Sequence, residues 1–324
     1  MTVAAEETMA TPHGRAVVDW SRSNIPVVLA LAIAVAGAAL VPQFATGDNA
    51  IDILRSQSFL GVAAVGMTFV VLAGRFVDLS MPAVIAVAGN LALAQQTHGW
   101  VAAAAIALAV GFLIGVANGS AVAFLRINPV IATLGVGSIA SGLLLHATGG
   151  ALSRAHSSGL GDLISGSIAG IPSTVIVFLT LVVVAQLALT YTRFGSYLRL
   201  SGANEEAAAA TGVPTRAITV TAFCCAGLAA ALTGCMIAGF AGQADLTIGT
   251  GYEFDALIAV VIGGTPLAGG RGGFLRTLVG VLIVGMLNNI MLLEGLATSW
   301  QLLVKGCVFI AIVLADRFFA RAEA

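Results

Sequence analysis

Charge is scarce in this 324-residue chain: Asp, Glu, Lys and Arg make up 9% of it, against 59% hydrophobic residues. A soluble globular domain carries about 25% charged residues. Fourteen Lys plus Arg and fifteen Asp plus Glu cannot give a chain of this length a water-facing surface. That excludes a soluble enzyme, a disordered segment and a nucleic-acid binder with a basic footprint. Lysine occurs once, as Lys305, and Gly306 follows it; a P-loop needs Lys followed by Ser or Thr. The four histidines (His13, His98, His146 and His156) are scattered and form no His-Glu-x-x-His pair. Cys224, Cys225, Cys235 and Cys307 have no metal-ligand spacing and read as reduced packing residues. No metal or cofactor is expected on the chain, and an intramembrane enzyme has the least support. Alternating apolar–polar segments of ~10 residues are also lacking, which argues against a β-barrel.

What is present is apolar sequence in long runs. A membrane-spanning helix needs ~20 mainly apolar residues to cross a ~30 Å hydrocarbon core. Ten runs qualify, at roughly 25–41, 57–74, 79–95, 101–125, 129–147, 173–191, 217–241, 253–269, 274–293 and 298–315. The third and eighth are short and broken by Gly and Pro. The expected fold is all-α: a polytopic membrane protein of about ten helices. Residues 1–24 and 318–324 read as cytoplasmic tails around a transmembrane domain over 25–317. Glu6, Glu7 and Asp19 spoil a basic n-region, so the N-terminal tail is not read as a signal peptide.

Basic residues orient the spans. With the N-terminus inside, Arg15, Arg22, Arg75, Arg126, Arg193, Arg199, Arg216, Arg271, Arg276, Arg317 and Arg321 fall on the cytoplasmic side. Arg55 and Arg154 fall outside, and Lys305 lies within a span. The bias favours N-in and C-in. Trp20, Trp100, Trp300, Tyr191, Tyr197 and Tyr252 all fall near span ends, where amphipathic rings suit the headgroup region.

Ten spans divide into two pseudo-symmetric five-helix halves, the second inverted relative to the first. The two broken spans hold matching places: Asp78-Leu79-Ser80-Met81-Pro82 opens one, and Gly263-Gly264-Thr265-Pro266 interrupts the other. Paired interrupted helices point to a midplane pathway in transporters; two ordinary kinked helices are the plain alternative. Gly111, Gly115 and Gly119 share a helix face, which suits close packing within the chain or a dimer seam.

Ionisable groups in spans are costly and default to functional candidates. Lys305 either serves a pathway, pairs inside the bundle or snorkels. Asp78 and Asp255, near span ends, either cap helices or line a pathway. Ser80, Asn90, Thr133, Thr265, Asn288, Asn289 and Gln301 complete the candidate translocation residues. Uncharged amides and hydroxyls suit a polyhydroxylated neutral solute, and equally suit interhelical hydrogen bonds.

The strongest local signal is the cytoplasmic connection over 195–216. Asn204 can cap a helix, Glu205 and Glu206 complement its dipole, four alanines propagate it, Gly212 can end it and Pro214 prevents resumption. Such a helix is too short to be stable alone; a docking protein would explain it, and a solvated connector helix is the plain alternative.

These residues carry a resemblance. The stretch Gly195–Val213, with Gly195, Arg199, Gly202, Asn204, Glu205, Ala208 and Gly212, resembles the ATPase-coupling loop of bacterial ABC-importer permeases, in particular the ribose-type sugar branch. Val65-Gly66-Met67-Thr68 with Val77-Asp78-Leu79-Ser80, Gly249-Thr250-Gly251-Tyr252-Glu253-Phe254-Asp255-Ala256 with Val261–Gly272, Gly285–Asn289 and Gln301–Gly306 match further family blocks in collinear order. The family pattern departs at one point: Met81-Pro82 here stands where Val-Gly is usual, after Arg75-Phe76. The resemblance implies an inner-membrane permease subunit, paired with a second permease copy, in contact with lipid but not nucleic acid. It also implies a cytoplasmic ATPase subunit that uses Mg-ATP and an extracytoplasmic solute-binding protein. An ion-coupled secondary transporter using Asp78, Asp255 or Lys305 is the rival from a different class.

Overall fold

A computed structural model describes residues 12–75, 77–155 and 159–321. The side chains of Arg15, Trp20, Arg22, Arg317 and Arg321, the position of His156, residues 1–11 of the expected N-terminal tail and 322–324 of the C-terminal one lie outside the described residues. Among the described residues thirteen α-helices follow one another: α1 (Pro12–Leu40), α2 (Gly47–Leu72), α3 (Met81–Ala94), α4 (Trp100–Ala123), α5 (Pro129–Thr148), α6 (Gly159–Ser165), α7 (Ser173–Tyr191), α8 (Arg193–Ala203), α9 (Glu205–Ala210), α10 (Thr215–Ala241), α11 (Tyr252–Ile262), α12 (Phe274–Leu293) and α13 (Thr298–Arg321). Six of them, α2, α4, α5, α7, α10 and α12, are long and apolar enough to cross a membrane. Shorter apolar helices occupy Asn24–Leu40, Met81–Ala94 and Ser299–Ala311.

The chain sets its helix ends with local chemistry. Thr46 accepts the Asn49 N–H to open α2, Asn128 accepts the Val130 N–H with Pro129 next to it to open α5, and Gly149 and Gly242 close α5 and α10 in the left-handed region. The all-α expectation needs one amendment. The 148–172 connection carries two-residue strands: β1 (Ser153–Arg154) pairs antiparallel with β4 (Gln243–Ala244), and β2 (Ser167–Ile168) with β3 (Ile171–Pro172). Ser and Gly composition hid these short pairings.

The eighth apolar run is also corrected. A helix over 253–269 was expected; α11 stops at Ile262, and 263–273 runs without a helix. Gly263-Gly264-Thr265-Pro266 explains the stop, because Gly264 takes φ +95° and Pro266 cannot donate a helical hydrogen bond. At ~1.5 Å per residue, the eleven residues of α11 reach about 16 Å and the fourteen of α3 about 21 Å, short of a ~30 Å core. Irregular backbone at such depth is tolerated only inside protein; α3 is buried along most of its length and α11 over Ala256–Val260.

At the centre stand α2 and α10: 83% of the apolar window of α2 is buried and 67% of that of α10, against 22% for α4. Lipid tails are as apolar as leucine, so helices here associate through close packing. The α4–α10 seam shows it. A Cβ on Gly111 would stand 2.6 Å from the Gly227 carbonyl oxygen, one on Gly119 2.7 Å from Val220 Cα, and one on Gly115 would overlap the Phe223 carbonyl oxygen. Gly111, Gly115 and Gly119 therefore pack within the chain and are not a dimer seam.

The neighbour relations repeat. α3 packs on α4 and α10 much as α11 packs on α12 and α2; α10 meets α4 as α2 meets α12; α5 adjoins α3 as α13 adjoins α11. α2 with α10, and α3 with α11, touch directly.

Candidate functional site

The connection between α7 and α10 folds as two helices. α8 was not foreseen: the sequence reading placed only the helix that follows Asn204. Thr192 accepts the Gly195 N–H to start it, and it buries Gly195, Leu198, Ser201 and Gly202 along one stripe. A side chain at Gly195 would collide with the backbone of Leu189, so glycine permits the tight corner with α7. Asn204 closes α8 and opens α9, its side-chain oxygen accepting the Ala207 N–H at 2.9 Å. Gly212 follows at φ +86°. Arg199, Glu205, Glu206, Ala207, Ala209 and Ala210 are exposed, whereas Ala208 faces inward.

Gly202 lies beneath this surface. A Cβ there would overlap the Leu72 carbonyl oxygen at the end of α2 and stand 2.6 Å from the Gly270 nitrogen. Gly270 in turn donates its N–H to Leu72 at 3.0 Å. Gly74 and Gly269, at φ +69° and +84°, complete a four-glycine contact among the ends of α2 and α8 and the loop after α11. Beside it, Arg75 Nη2 donates to Glu205 Oε1 at 2.7 Å. Arg75 Nε and Nη2 also donate to Thr219 Oγ1 on α10, at 3.1 and 2.8 Å. The hydrogen bond from Arg75 holds the Glu205 carboxyl below its usual range; burial opposes it less strongly, and the positive charges of Arg75 and Arg126 add to the lowering. In the sequence Arg75 stood out only as a cytoplasmic-side charge and beside a departure from a pattern. Its partners are 130 and 144 residues away, so no local signal could reveal them.

The candidate translocation residues do not form one site; they separate into four groups. At the first turn of α3, Asp78 Oδ1 accepts the Ser80 N–H at 2.9 Å and its hydroxyl at 2.6 Å. The Ser80 hydroxyl also accepts Asn118 Nδ2 of α4 at 2.7 Å. Thr133 Oγ1 of α5 accepts the Leu79 N–H at 3.1 Å. Asp78 thus braces the turn before α3 rather than capping the helix itself, whose N-cap is Ser80. At the far end of α3, Asn90 accepts the Ser153 hydroxyl at 2.7 Å and donates to Ala86 and Asp245 carbonyls at 2.9 and 3.0 Å.

A third group joins α11, α12 and α13. Lys305 Nζ donates to Asp255 Oδ2 at 2.7 Å, and the Asn288 amide lies beside the same carboxylate. Asn289 exchanges amide hydrogen bonds with Asn49 at 2.8 and 3.0 Å. Gln301 donates to the Leu296 carbonyl at 2.9 Å. Asp255 is therefore an ion-pair partner, not a cap. Thr265 is the fourth, buried in the loop after α11, where it accepts the Gly273 N–H at 3.4 Å.

A cavity of about 410 Å³ opens between α3 and α5, lined by Leu79, Pro82, Leu134, Gly137, Ser138 and Ser141 among others. Ser138 and Ser141 were missed in the sequence; their i, i+3 spacing inside an apolar run was the available sign of a polar face. A second cavity of about 390 Å³, lined by apolar side chains such as Leu91, Val110, Ile114 and Leu144, borders α3, α4 and α5.

Comparison with known proteins places this architecture. The family model described as "Branched-chain amino acid transport system / permease component" matches residues 49–313. The ribose import permease of Escherichia coli K12 is 34% identical over 304 residues, covering 92% of this chain and 94% of the relative. That of Bacillus subtilis is 36% identical over 282 residues, 86% of this chain and 87% of the relative. The L-arabinose ABC transporter permease of Azospirillum brasilense is 33% identical over 280 residues, 86% and 82%. No solved structure matches. With its apolar helices, this chain belongs to the permease-component family of ABC importers, as a multi-pass inner-membrane protein related to the ribose-type branch.

Proposed function

We propose that this chain is the translocation subunit of an ATP-driven, binding-protein-dependent importer for a sugar or related polyhydroxylated solute. The observation that carries the reading is the nearly full-length, collinear similarity to ribose, galactofuranose and L-arabinose permeases. A separate ATPase subunit hydrolyses Mg-ATP, an extracytoplasmic binding protein delivers solute, and a second permease copy completes the pathway. Ten spans cross the membrane as two inverted five-helix halves, N-in and C-in, α3 and α11 being the short third span of each. The repeated neighbour relations support the halves. Arg75, Arg271 and Arg276 lie near the coupling segment and the loop after α11, which supports calling that end cytoplasmic.

The ATPase docks on the coupling loop 195–216, through the exposed face of α9. Solute passes beside α3 and α5, where the hydroxyls of Ser138 and Ser141 offer hydrogen bonds without charge. Asp255 and Lys305 already satisfy one another, so they favour a structural role over an ion relay.

The test is purification of the complex in mild detergent, with ligand released from the binding protein identified by mass spectrometry. A pentose or hexose supports the reading, and a branched-chain amino acid overturns the solute class. A bulky pair on the exposed face, Ala207→Trp/Ala210→Trp, is expected to strip the ATPase from the complex; full retention overturns the docking surface.

A further inference from the structure

The coupling segment touches one end of each short helix. Glu205, first residue of α9, is ion-paired at 2.7 Å with Arg75 in the turn that leads into α3. Gly202, at the end of α8, abuts Gly270 in the loop that leaves α11. These contacts differ in kind. The glycine contact is backbone on backbone with no room for a Cβ, so the loop after α11 must follow any shift of α8. The ion pair is a point contact whose guanidinium is steadied by Thr219 on α10. Val77 donates its N–H to the Arg75 carbonyl at 2.9 Å. The next residue, Asp78, begins the network that binds Ser80, Asn118 of α4 and, through Leu79, Thr133 of α5. The cavity between α3 and α5 borders that network.

We propose that the coupling segment drives both half-length helices at once, α11 through the Gly202–Gly270 contact and α3 through the Glu205–Arg75 ion pair. Arg75 is then a positioning residue that makes the α3–α5 cavity respond to the ATPase. This rests on the docking of the ATPase on α9. α3 and α11 each end inside the protein, so each can tilt without dragging a full span through lipid. A partly exposed ion pair adds little to stability, so its loss leaves the fold intact while removing the link.

The experiment uses the complete complex in nanodiscs with Cys307→Ser, and Ser141→Cys as reporter for maleimide labelling. Labelling rates are compared without nucleotide and after trapping with Mg-ATP and vanadate. Trapping is expected to change the rate at least about fivefold, the lower end of ordinary coupling between sites. Arg75→Glu abolishes that change while retaining bound ATPase, and the Arg75→Glu/Glu205→Arg exchange restores it. An unchanged response in Arg75→Glu, no response in the reference protein, or no restoration by the exchange overturns the proposal. Loss of ATPase from Arg75→Glu also overturns it, since the pair would then serve docking itself. Failure of the docking surface would instead show as full ATPase retention by the Ala207→Trp/Ala210→Trp variant.

Discussion

Removing the intramembrane charges one at a time and then together separates pairing from transport. Lys305 and Asp255 close at 2.7 Å with 26% and 15% of their side chains exposed. At that separation an effective dielectric of ~20 gives about 6 kcal/mol of attraction. Drawing each ion out of water costs several kcal/mol, so the net contribution of the intact pair is small. Deleting one partner leaves the other ion's desolvation without the attraction. Fully buried pairs broken this way lose about 3–5 kcal/mol; exposure here lets the survivor reach polar surroundings, and about 2 kcal/mol is expected. At ~2–4 °C per kcal/mol, Lys305→Met should lower the melting midpoint of the complex by about 4–8 °C, and Asp255→Asn by a similar amount. The double variant Asp255→Asn/Lys305→Met should return to within about 2 °C of the parent and still transport. Thermal unfolding followed by fluorescence-detected size exclusion, with uptake in proteoliposomes, reads both. A double variant that melts as low as the singles refutes the pairing argument. One that is stable and hydrolyses ATP normally but does not transport shows that the charges themselves serve the pathway.

Other outcomes follow from the same geometry. Gly115→Leu should cost about 1–3 kcal/mol by overpacking the α4–α10 seam, whereas Gly142→Ala, where a Cβ meets nothing within 4 Å, should leave the melting midpoint unchanged. Asn204→Ala removes the α9 cap and about 1 kcal/mol of local stability, read as faster amide exchange over 205–210. The Glu205 carboxyl is held low by Arg75, so its contribution is present at neutral pH and lost as pH falls through the lowered value. The melting difference between parent and Glu205→Gln should therefore stay constant down to about pH 5 and vanish at more acid pH; a difference that disappears between about pH 8 and 6 would refute it.

Much of the site was visible in residues that act locally. Asn204 caps α9 as a side chain three residues from its partner must, and Gly212 takes the positive φ expected of a helix-ending glycine. The break after Ile262 was written in Gly263–Pro266, although its consequence, a helix of half length, was not. α8 escaped the sequence reading; Gly195 and Gly202 are ordinarily helix-weakening, and here they buy close approach to α7 and to Leu72. Glycine in sequence does not announce whether it breaks a helix or lets a neighbour in.

Composition and periodicity by themselves determined a helical membrane protein, because nine charged residues per hundred cannot clothe a soluble fold and ~20-residue apolar runs match the lipid core. The short helix after Asn204 and the permease family were also legible in the chain, since each block of sequence that signals them is local. The tertiary structure alone decided which polar groups meet. It joined Arg75 to Glu205, Asp255 to Lys305 and Asn49 to Asn289 across separations of 130, 50 and 240 residues. It also turned the glycine stripe of α4 inward. In a lipid-facing chain every apolar face looks alike in sequence, so only the packing of backbones against one another shows which polar side chain has a partner and which face is left for a second protein.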